Sequence, residues 1–362
     1  MSSPRDCWGC PVTREPEPSL DDIADTAAEL DRLRRTADDI LSQAWAVERT
    51  RKLLEGPGPA FDAQLWSTVL DLGWPDVLVD EGRGGGGVGL RELCVLTEAA
   101  GAVALPVPLA SAAAAAWCEQ QCATGLTLVL DDVGAVVTAG QATGAWSAVP
   151  FGAAADRLVV LARQGGDPVL GVVSATSPAV RREAEQPLDH NPAASITARA
   201  APIDVFATGE DALVRYQAAL NRSRLATVGE LIGIASAANQ AAVEYAKVRV
   251  TFGRPIGARQ AIKHRLVDQR SAIEVARALV NRAADATELC HPDTEALVSL
   301  AAFWAIDSLR RVPEGATQVF GGVAYTWEHE AHVHLRRAAT RIASLGSRDH
   351  HRRVVSRWLA SR

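Results

Sequence analysis

Apolar positions recur with a helical period in the first third of the chain. From Leu20 to Leu54 they lie three and four residues apart, which is the spacing of one face of an α-helix. The same spacing predicts helices from about Phe61 to Leu72 and from Leu90 to Ala100. Residues 1–19 contain four prolines and no periodic pattern, so a mobile leader is expected before a helical domain at residues 20–122.

The period shortens to two in the middle of the chain. Between residues 123 and 214 the segments LTLVLDD, AVVTAG, DRLVVLAR and VLGVVSA are separated by Gly, Asp and Pro, which predicts a small antiparallel β domain. The helical period then returns in residues 215–362, beginning with a helix from about Leu220 to Val250. The expected fold class is therefore mainly α with a small β domain, in a three-domain α–β–α order.

A run of glycines lies between two of the predicted helices. The segment DEGRGGGGVGL, Asp80 to Leu90, invites comparison with a phosphate-binding loop. It lacks the Lys-Ser/Thr that follows such a loop and the strand that precedes it. We therefore expect a flexible loop that joins two helices.

Composition and charge exclude two classes of partner. The formal net charge of −6 argues against a nucleic-acid ligand, because phosphate binding needs a basic surface. The longest apolar stretch, Ala102 to Trp117, is interrupted by Pro106 and Pro108 and is not a membrane span. With 48% apolar and 22% charged residues, a globular protein is expected. Because neither a signal peptide nor a membrane span is recognised, a cytoplasmic location is the default expectation.

Two long strings in the last third of the chain resemble the acyl-CoA dehydrogenase family. They are YAKVRVTFGRPIGARQAIKHRLVD, Tyr245 to Asp268, and QVFGGVAYTWEHEAHVHLRRA, Gln318 to Ala338. The segment Asp71 to Gly101 resembles family members more loosely. The resemblance implies an α–β–α flavoprotein that binds FAD and removes two hydrogens across the α,β bond of an acyl-CoA thioester.

The resemblance also implies where FAD is bound. Arg249 is expected to reach the FAD of a neighbouring subunit, since an arginine fork pairs with phosphate oxygens in two places. Phe252 packs beside it, and Gln260 hydrogen-bonds the cofactor. Glycine at the second string admits close backbone approach to the adenosine half. The cofactor contacts implied in full are Arg249, Phe252, Gln260, Gln318, Gly321, Gly322, Gly346 and Ser347.

The sequence departs from the family at the catalytic base. Family members carry a glutamate at one of two positions, which here hold Ser223 and Leu345. Neither side chain can remove a proton from substrate carbon. Glu230 follows Ser223 by seven residues on the same helical face, about 10 Å further along the helix. It is either a displaced base or a buried structural partner, and the catalytic residue stays unknown.

The middle domain departs from the family as well. Family members hold the flavin ring with a Thr-Glu-Pro…Gly-Ser loop and a Lys-x-Trp-Ile-Thr-Asn-like strand. Here only the segment Gly144 to Leu158 is found, with Val149, Pro150 and Phe151 where that strand belongs. The residues that reach a neighbour's FAD are kept, whereas those that would hold this chain's own ring are altered.

That asymmetry leads to the main hypothesis about assembly. Some bacterial family members that act on steroid side chains are two-chain enzymes, so this chain is expected to be one subunit beside a homologous acyl-CoA dehydrogenase chain in a heterotetramer. A homo-oligomer is the other assembly. Two other functions stay open: a flavoenzyme of different chemistry, and a cofactor-free scaffold or regulatory partner.

A histidine cluster near the second string raises the question of a metal. His329, His332 and His334 lie close together in sequence. Zinc on a helix favours histidines four residues apart, but Val333 occupies that position after His329. We interpret the cluster as a polar helix face and predict no metal site.

Overall fold

The computed structural model describes residues 20–362, with side chains from residue 28 onward. The predicted mobile leader at residues 1–19 lies outside the described residues. The N-terminal part contains five helices: α1 (Leu20–Ala44), α2 (Val47–Glu55), α3 (Ala63–Asp71), α4 (Leu90–Ala102) and α5 (Leu109–Glu119). The pattern from Leu20 to Leu54 is therefore two helices. They separate because Ala46 is extended and the Trp45 indole N–H donates to Thr50 Oγ1 at 2.9 Å.

The glycine run is an ordered tight turn rather than the flexible loop expected. The amides of Gly85, Gly86 and Gly87 donate to main-chain carbonyls at 3.2, 3.0 and 2.9 Å. A Cβ at Gly85 would lie 2.2 Å from the carbonyl oxygen of Val79. Glycine is thus required here because one piece of backbone packs directly against another.

The apolar stretch from Ala102 to Trp117 is divided between two helices. Helix α4 ends at Ala102 and α5 begins at Leu109, with both prolines in the connection. Pro108 directly precedes α5, where its missing N–H costs no helical hydrogen bond. Within residues 20–362, no helix is long and apolar enough to cross a membrane.

Seven strands of the middle part form a closed sheet. They are β1 (Thr127–Val129), β2 (Ala135–Thr138), β3 (Gln141–Val149), β4 (Arg157–Gln164), β5 (Asp167–Ser174), β6 (Val180–Ala184) and β7 (Ala194–Thr208). Antiparallel pairs join β2 to β3, β3 to β7, β7 to β5 and β5 to β4, and β4 pairs with β2 to close the ring. Strand β1 adds to β4, and β6 adds to β7.

The prediction of a purely antiparallel domain is wrong at two pairs. Strands β1 and β2 both run parallel to β4. Thr127 pairs with Arg157 and Ala135 pairs with Ala162, so β1 and β2 are successive pieces of one edge along β4. The short connection between them interrupts the ladder without reversing the chain, which periodicity alone does not reveal.

The C-terminal part is a helical bundle around one long helix. Its helices are α6 (Gly209–Val248), α7 (Gln260–Glu288), α8 (Thr294–Trp304), α9 (Arg311–Phe320), α10 (Ala331–Ser344) and α11 (Arg348–Ala360), with a small hairpin of β8 (Val250–Thr251) and β9 (Arg254–Pro255). Helix α6 begins at Gly209 rather than near Leu220, because Glu210 and Asp211 favour a helix N-terminus. The boundary expected at residues 214–215 therefore falls inside α6.

The order of helices, strands and helices confirms the predicted fold class. Buried side chains from all three parts nevertheless belong to one large apolar core. The division into three separate domains consequently stays a prediction.

Helices α4 and α6 cross so closely that their backbones are in contact. A Cβ at Gly233 would lie 1.8 Å from the Glu98 carbonyl oxygen, and one at Gly229 would lie 2.7 Å from the Cys94 carbonyl oxygen. From the other side, a Cβ at Gly101 would lie 2.0 Å from the Glu230 carbonyl oxygen. The three glycines therefore set the distance between the two helices.

We predict that Gly233→Ala lowers the free energy of unfolding by about 1–3 kcal/mol, because the added methyl must push the helices apart. Helix propensity alone would favour alanine by about 1 kcal/mol, so the sign of the change is decided by packing. Chemical denaturation of the purified variant measures the effect. Gly58→Ala is the control, since a Cβ there meets nothing within 4 Å. Equal stability of Gly233→Ala and the parent would contradict this crossing.

Candidate cofactor site

The hairpin that follows α6 presents an aromatic side chain to solvent. Phe252 and Gly253 form its turn, and both have positive φ, at 52° and 73°. A bulky residue in this conformation is strained. The Phe252 side chain is also 95% exposed. A strained and exposed aromatic side chain is a candidate for contact with a ligand or partner.

Arg259 holds the tip of this hairpin. Its guanidinium lies 5.4 Å from the centre of the Phe252 ring, and its Nη2 donates to the Thr251 carbonyl at 3.3 Å. Arg249 is exposed at the start of the hairpin, and its carbonyl accepts the Ile256 amide at 2.8 Å. The arginine that packs beside Phe252 is thus Arg259. Its role in positioning the hairpin was missed by the sequence analysis.

The second predicted string forms the end of α9 and the turn after it. Gly321 has φ 72° and ψ −145°, a conformation that favours glycine. A Cβ at Gly321 or Gly322 would meet nothing within 4 Å, so the backbone there is open to approach. Gln318 is exposed, and its Nε2 donates to Tyr325 Oη at 3.3 Å.

An apolar cluster brings the two strings together. It is formed by side chains of α6, α7, α9 and the turns beside them, among them Ala246, Ile256, Ile262, Leu266, Val319 and Phe320. The Tyr245 and Phe320 rings meet edge-on at 5.2 Å between centroids. Gln260 is exposed as the first residue of α7. Six of the eight predicted cofactor residues therefore lie around the C-terminal end of α6.

Basic side chains without acidic neighbours surround this end of α6. The chain has no Asp or Glu between Glu244 and Asp268. The nearest ion pairs along the chain are Lys247 with Glu244 and Arg270 with Glu274. Within the described part of the chain, five basic side chains of the stretch have no carboxylate partner: Arg249, Arg254, Arg259, Lys263 and Arg265. Such a group of cations is suited to a polyanionic ligand.

Glu230 lies in a buried ion network between α6 and α10. Its Oε1 accepts from Nε of Arg337 at 2.9 Å and from Nε of Arg341 at 3.0 Å. Arg337 also donates to Asp189 at 3.0 Å and to the Leu105 carbonyl. Burial acts to raise the pKa of Asp189, but the two arginines outweigh it and hold the pKa below its usual range. This geometry favours a structural pairing for Glu230 over a displaced base.

The three clustered histidines are each engaged by nearby backbone. His329 Nδ1 accepts the Ala331 amide at 3.0 Å, and Nε2 of His334 lies 3.3 Å from the Ala102 carbonyl. Nε2 of His332 lies 3.3 Å from the Trp327 carbonyl. Among the described residues, no three His, Cys, Asp or Glu side chains are grouped to hold a metal ion.

Comparison with known proteins identifies the family. Residues 213–360 match the model of the acyl-CoA dehydrogenase C-terminal domain. The acyl-CoA dehydrogenase IpdE2 of Mycobacterium tuberculosis is 31% identical over 281 residues, covering 77% of this chain and 81% of that protein. The chain belongs to the acyl-CoA dehydrogenase family. Members of this family are oxidoreductases that act on CH–CH groups.

Solved structures show the same fold. A variant of the Tcur3481–Tcur3483 steroid acyl-CoA dehydrogenase has a TM-score of 0.83 at 25% identity, over 92% of this chain and 98% of that chain. The ChsE4–ChsE5 complex of Mycobacterium tuberculosis has a TM-score of 0.81 at 24% identity, over 92% and 97%. The acyl-CoA dehydrogenase fold thus extends through the middle part, where the sequence resemblance was weak.

One position at which the resemblance places the family's base, Leu345, contacts a buried histidine. Leu345 is 1% exposed, and its carbonyl accepts from Nε2 of His351 at 2.9 Å. Burial lowers the pKa of His351, and the nearby charge of Arg224 lowers it further. Ser223 directly precedes Arg224 on α6. His351 therefore fixes this acyl-CoA dehydrogenase loop from α11, a contact that sequence reasoning missed.

The remaining two predicted cofactor residues belong to this second location. Gly346, with φ 90°, and Ser347 lie exposed between α10 and α11. Ser223 precedes Arg249 by 26 residues, which is about 39 Å along a helix axis. The eight predicted residues thus form two sets in one chain, six around the C-terminal end of α6 and two between α10 and α11.

The segment that replaces the family's ring-binding strand is part of the core. Phe151 is fully buried with φ 60°. The guanidinium groups of Arg341 and Arg337 lie 5.3 and 5.8 Å from its ring centre. Phe61 packs against it edge-on at 6.1 Å. This aromatic ring therefore covers the buried ion network.

We predict that Glu230→Gln lowers the free energy of unfolding by about 3–5 kcal/mol, because two buried arginines lose a charged partner. Thermal and denaturant unfolding of the purified chain measure this. The matched control is Glu244→Gln on the same helix, an exposed partner of Lys247 whose loss should cost about 0–1 kcal/mol. If both variants were equally stable, the structural role of Glu230 would be wrong.

Proposed function

We propose that this acyl-CoA dehydrogenase chain is one subunit of a heteromeric enzyme, in which it supplies cofactor-binding residues to FAD held against a homologous subunit. One observation carries the proposal. The end of α6 gathers unpaired cations and an exposed, strained Phe252, whereas both base positions hold side chains that cannot accept a proton from carbon. The chain therefore has one competent half of a site and one incompetent half.

The residues at the end of α6 fit the chemistry of FAD. Its pyrophosphate carries negative charge, and the exposed Arg249 guanidinium has no carboxylate partner among the described residues. The open backbone at Gly321 and Gly322 admits a ligand group that a side chain would block. When bound, FAD would supply the acceptor for the substrate's β hydride. The task of Arg249, Gln260 and Gln318 is to bind and orient it.

The partner must then contribute the base. The Leu345 side chain is buried and apolar, and the Ser223 hydroxyl is not a group that removes a proton from carbon. Removal of the α proton requires a positioned group with a matched pKa, such as a carboxylate. The structural relative ChsE4–ChsE5 is a complex of two named chains, and the steroid enzyme Tcur3481–Tcur3483 is also named for two. These names support a two-chain assembly, as a heterotetramer with acyl-CoA as substrate.

Two other functions make different predictions for bound flavin. A flavoenzyme of different chemistry would retain FAD when this chain is purified alone. A scaffold or regulatory partner would retain none even with its partner. The cytoplasmic location expected from the sequence and a role in lipid or secondary metabolism belong to the same proposal.

We predict that Arg249→Ala weakens FAD retention in the co-purified two-chain complex by about 1.5–3 kcal/mol, because a hydrogen-bonded charge is lost. Flavin absorbance per complex after gel filtration measures retention. Arg282→Ala is the control, since this exposed arginine lies about 33 Å further along α7 than Gln260. Unchanged flavin in Arg249→Ala would exclude the proposed contact.

We further predict that this chain alone does not oxidise acyl-CoA efficiently. Loss of a positioned base typically costs about 10² to 10⁴ in rate. Dye reduction with a panel of acyl-CoA thioesters, for the chain alone and then with its partner, measures this difference. Fast turnover by the isolated chain would overturn the proposal. If that activity disappeared in Glu230→Gln while the protein stayed folded, Glu230 would be a displaced base.

A further inference from the structure

The connection between α9 and α10 is held at both ends by one histidine. Residues 321–330 include Gly321 and Gly322 of the proposed cofactor site. The His329 ring lies 4.5 Å from the ring of Phe320, the last residue of α9. Its Nδ1 accepts the amide of Ala331, the first residue of α10, at 3.0 Å. His329 therefore joins the two ends of the connection that carries the glycines.

The contact with Ala331 requires a neutral ring. A nitrogen that accepts an N–H carries no proton of its own, so Nδ1 is the unprotonated nitrogen. Protonation would replace this acceptor by a second donor facing the Ala331 N–H. The added positive charge would also lie at the N-terminus of α10, where the helix dipole disfavours cations. Acidification thus acts against the contact in two ways.

The surroundings of His329 offset that charge only in part. The ring borders a cavity of about 340 Å³. The cavity residues from α6 and α9 are uncharged: Ala238, Ala241, Pro313, Ala316 and Phe320. Titratable neighbours come from the connection and α10, namely Glu328, Glu330 and the buried His334. Burial lowers the pKa of His329, and Glu330 only partly opposes this.

We propose that His329 is a positioning residue that holds the Gly321–Gly322 turn when neutral and releases it when protonated. The consequence for FAD rests on the proposed function, whereas the response of the turn itself does not. On this basis, bound flavin is lost in mildly acidic solution because the backbone it contacts loses its position.

Two further histidines, in the first turn of α10, act in the same direction. His332 Nε2 lies against the Trp327 carbonyl, and its Nδ1 is buried without a hydrogen-bond partner. Burial lowers the pKa of His332; Arg336 and Arg51 act in the same direction, and Glu55 opposes them. The fully buried His334 also has a lowered pKa because of desolvation. All three rings favour the neutral form in the folded chain.

The direction of the pH effect follows from these shifts. A histidine whose pKa is lowered on folding binds its proton more readily when the segment is open. Stability is therefore complete above the ordinary pKa of about 6.5 and falls as pH drops below it. For each protonation that the closed segment excludes, opening becomes about ten-fold more favourable per pH unit below that value.

Hydrogen exchange of the full chain tests the proposal directly. Protection of residues 321–333 is compared at about pH 7.5 and about pH 5.5, on either side of the ordinary histidine pKa, after correction for intrinsic exchange. In the parent chain, protection should fall in this segment at the lower pH, by up to about ten-fold for each histidine whose protonation the closed segment excludes. His329→Asn should lose less, because its side-chain oxygen still accepts the Ala331 amide and does not titrate. His350→Asn, at an exposed histidine, should respond like the parent.

Unchanged protection in the parent, or equal loss in His329→Asn and the parent, would overturn the proposal. His329→Phe keeps a ring but removes the acceptor, so its protection should be low at both pH values. Flavin retention by the co-purified complex is then measured over the same pH range. Absence of flavin at about pH 7.5 with an intact exchange response would contradict the proposed function alone. Loss of flavin at the same pH in His329→Asn and the parent would contradict the link between this turn and FAD.

Discussion

The structure depends on the close crossing of α4 and α6. At Gly229 and Gly233 the surface of α6 is bare backbone, and α4 fills the space with its own carbonyl groups. Gly101 repeats the arrangement from the other helix by admitting the carbonyl of Glu230. Any larger residue at these points would separate the N-terminal helices from the bundle. The position of every later contact on α6 follows from this distance.

The buried ion network is the clearest consequence. The Glu230 side chain lies beside the crossing and accepts hydrogen bonds from Arg337 and Arg341 of α10. Both arginines also contact Asp189, in the connection between β6 and β7. Charges of this kind are costly to bury and tolerable only when paired. Since their partners come from the bundle and the sheet, and Arg337 also donates to the Leu105 carbonyl of the N-terminal part, the network requires a particular mutual position of all three parts. Phe151 completes it by placing an aromatic face beside both arginines.

The length of α6 separates the group of cations at its C-terminal end from Ser223. Its 40 residues span about 60 Å. The unpaired cations lie beyond its C-terminal end, whereas Ser223 lies about 39 Å further back along the helix axis. On the proposed function, a cofactor contact at Arg249 and a base position at Ser223 of one chain would therefore not meet at one reaction centre. This separation supports the proposal that two subunits share one FAD.

The sequence by itself determined the features that depend on neighbours along the chain. The α–β–α order followed from the hydrophobic period, and the family followed from two continuous strings, because both signals are local. The residues at the two positions where the resemblance places the base, Ser223 and Leu345, were also visible, since side-chain chemistry needs no fold to be recognised.

Only the tertiary structure decided the relations between distant residues. It closed the sheet by laying β1 and β2 along β4, and it replaced a flexible glycine loop by a tight turn against Val79. It also gave Glu230 its arginine partners, although the spacing of Arg337 and Arg341 by one helical turn was a readable hint. Asp189 had no such signal. The strand pairs join segments about 30 residues apart, and the ion pairs of Glu230 and Asp189 join residues 107 to 148 positions apart. The free energy that selects these pairings comes from burial in a shared core, which no local pattern encodes.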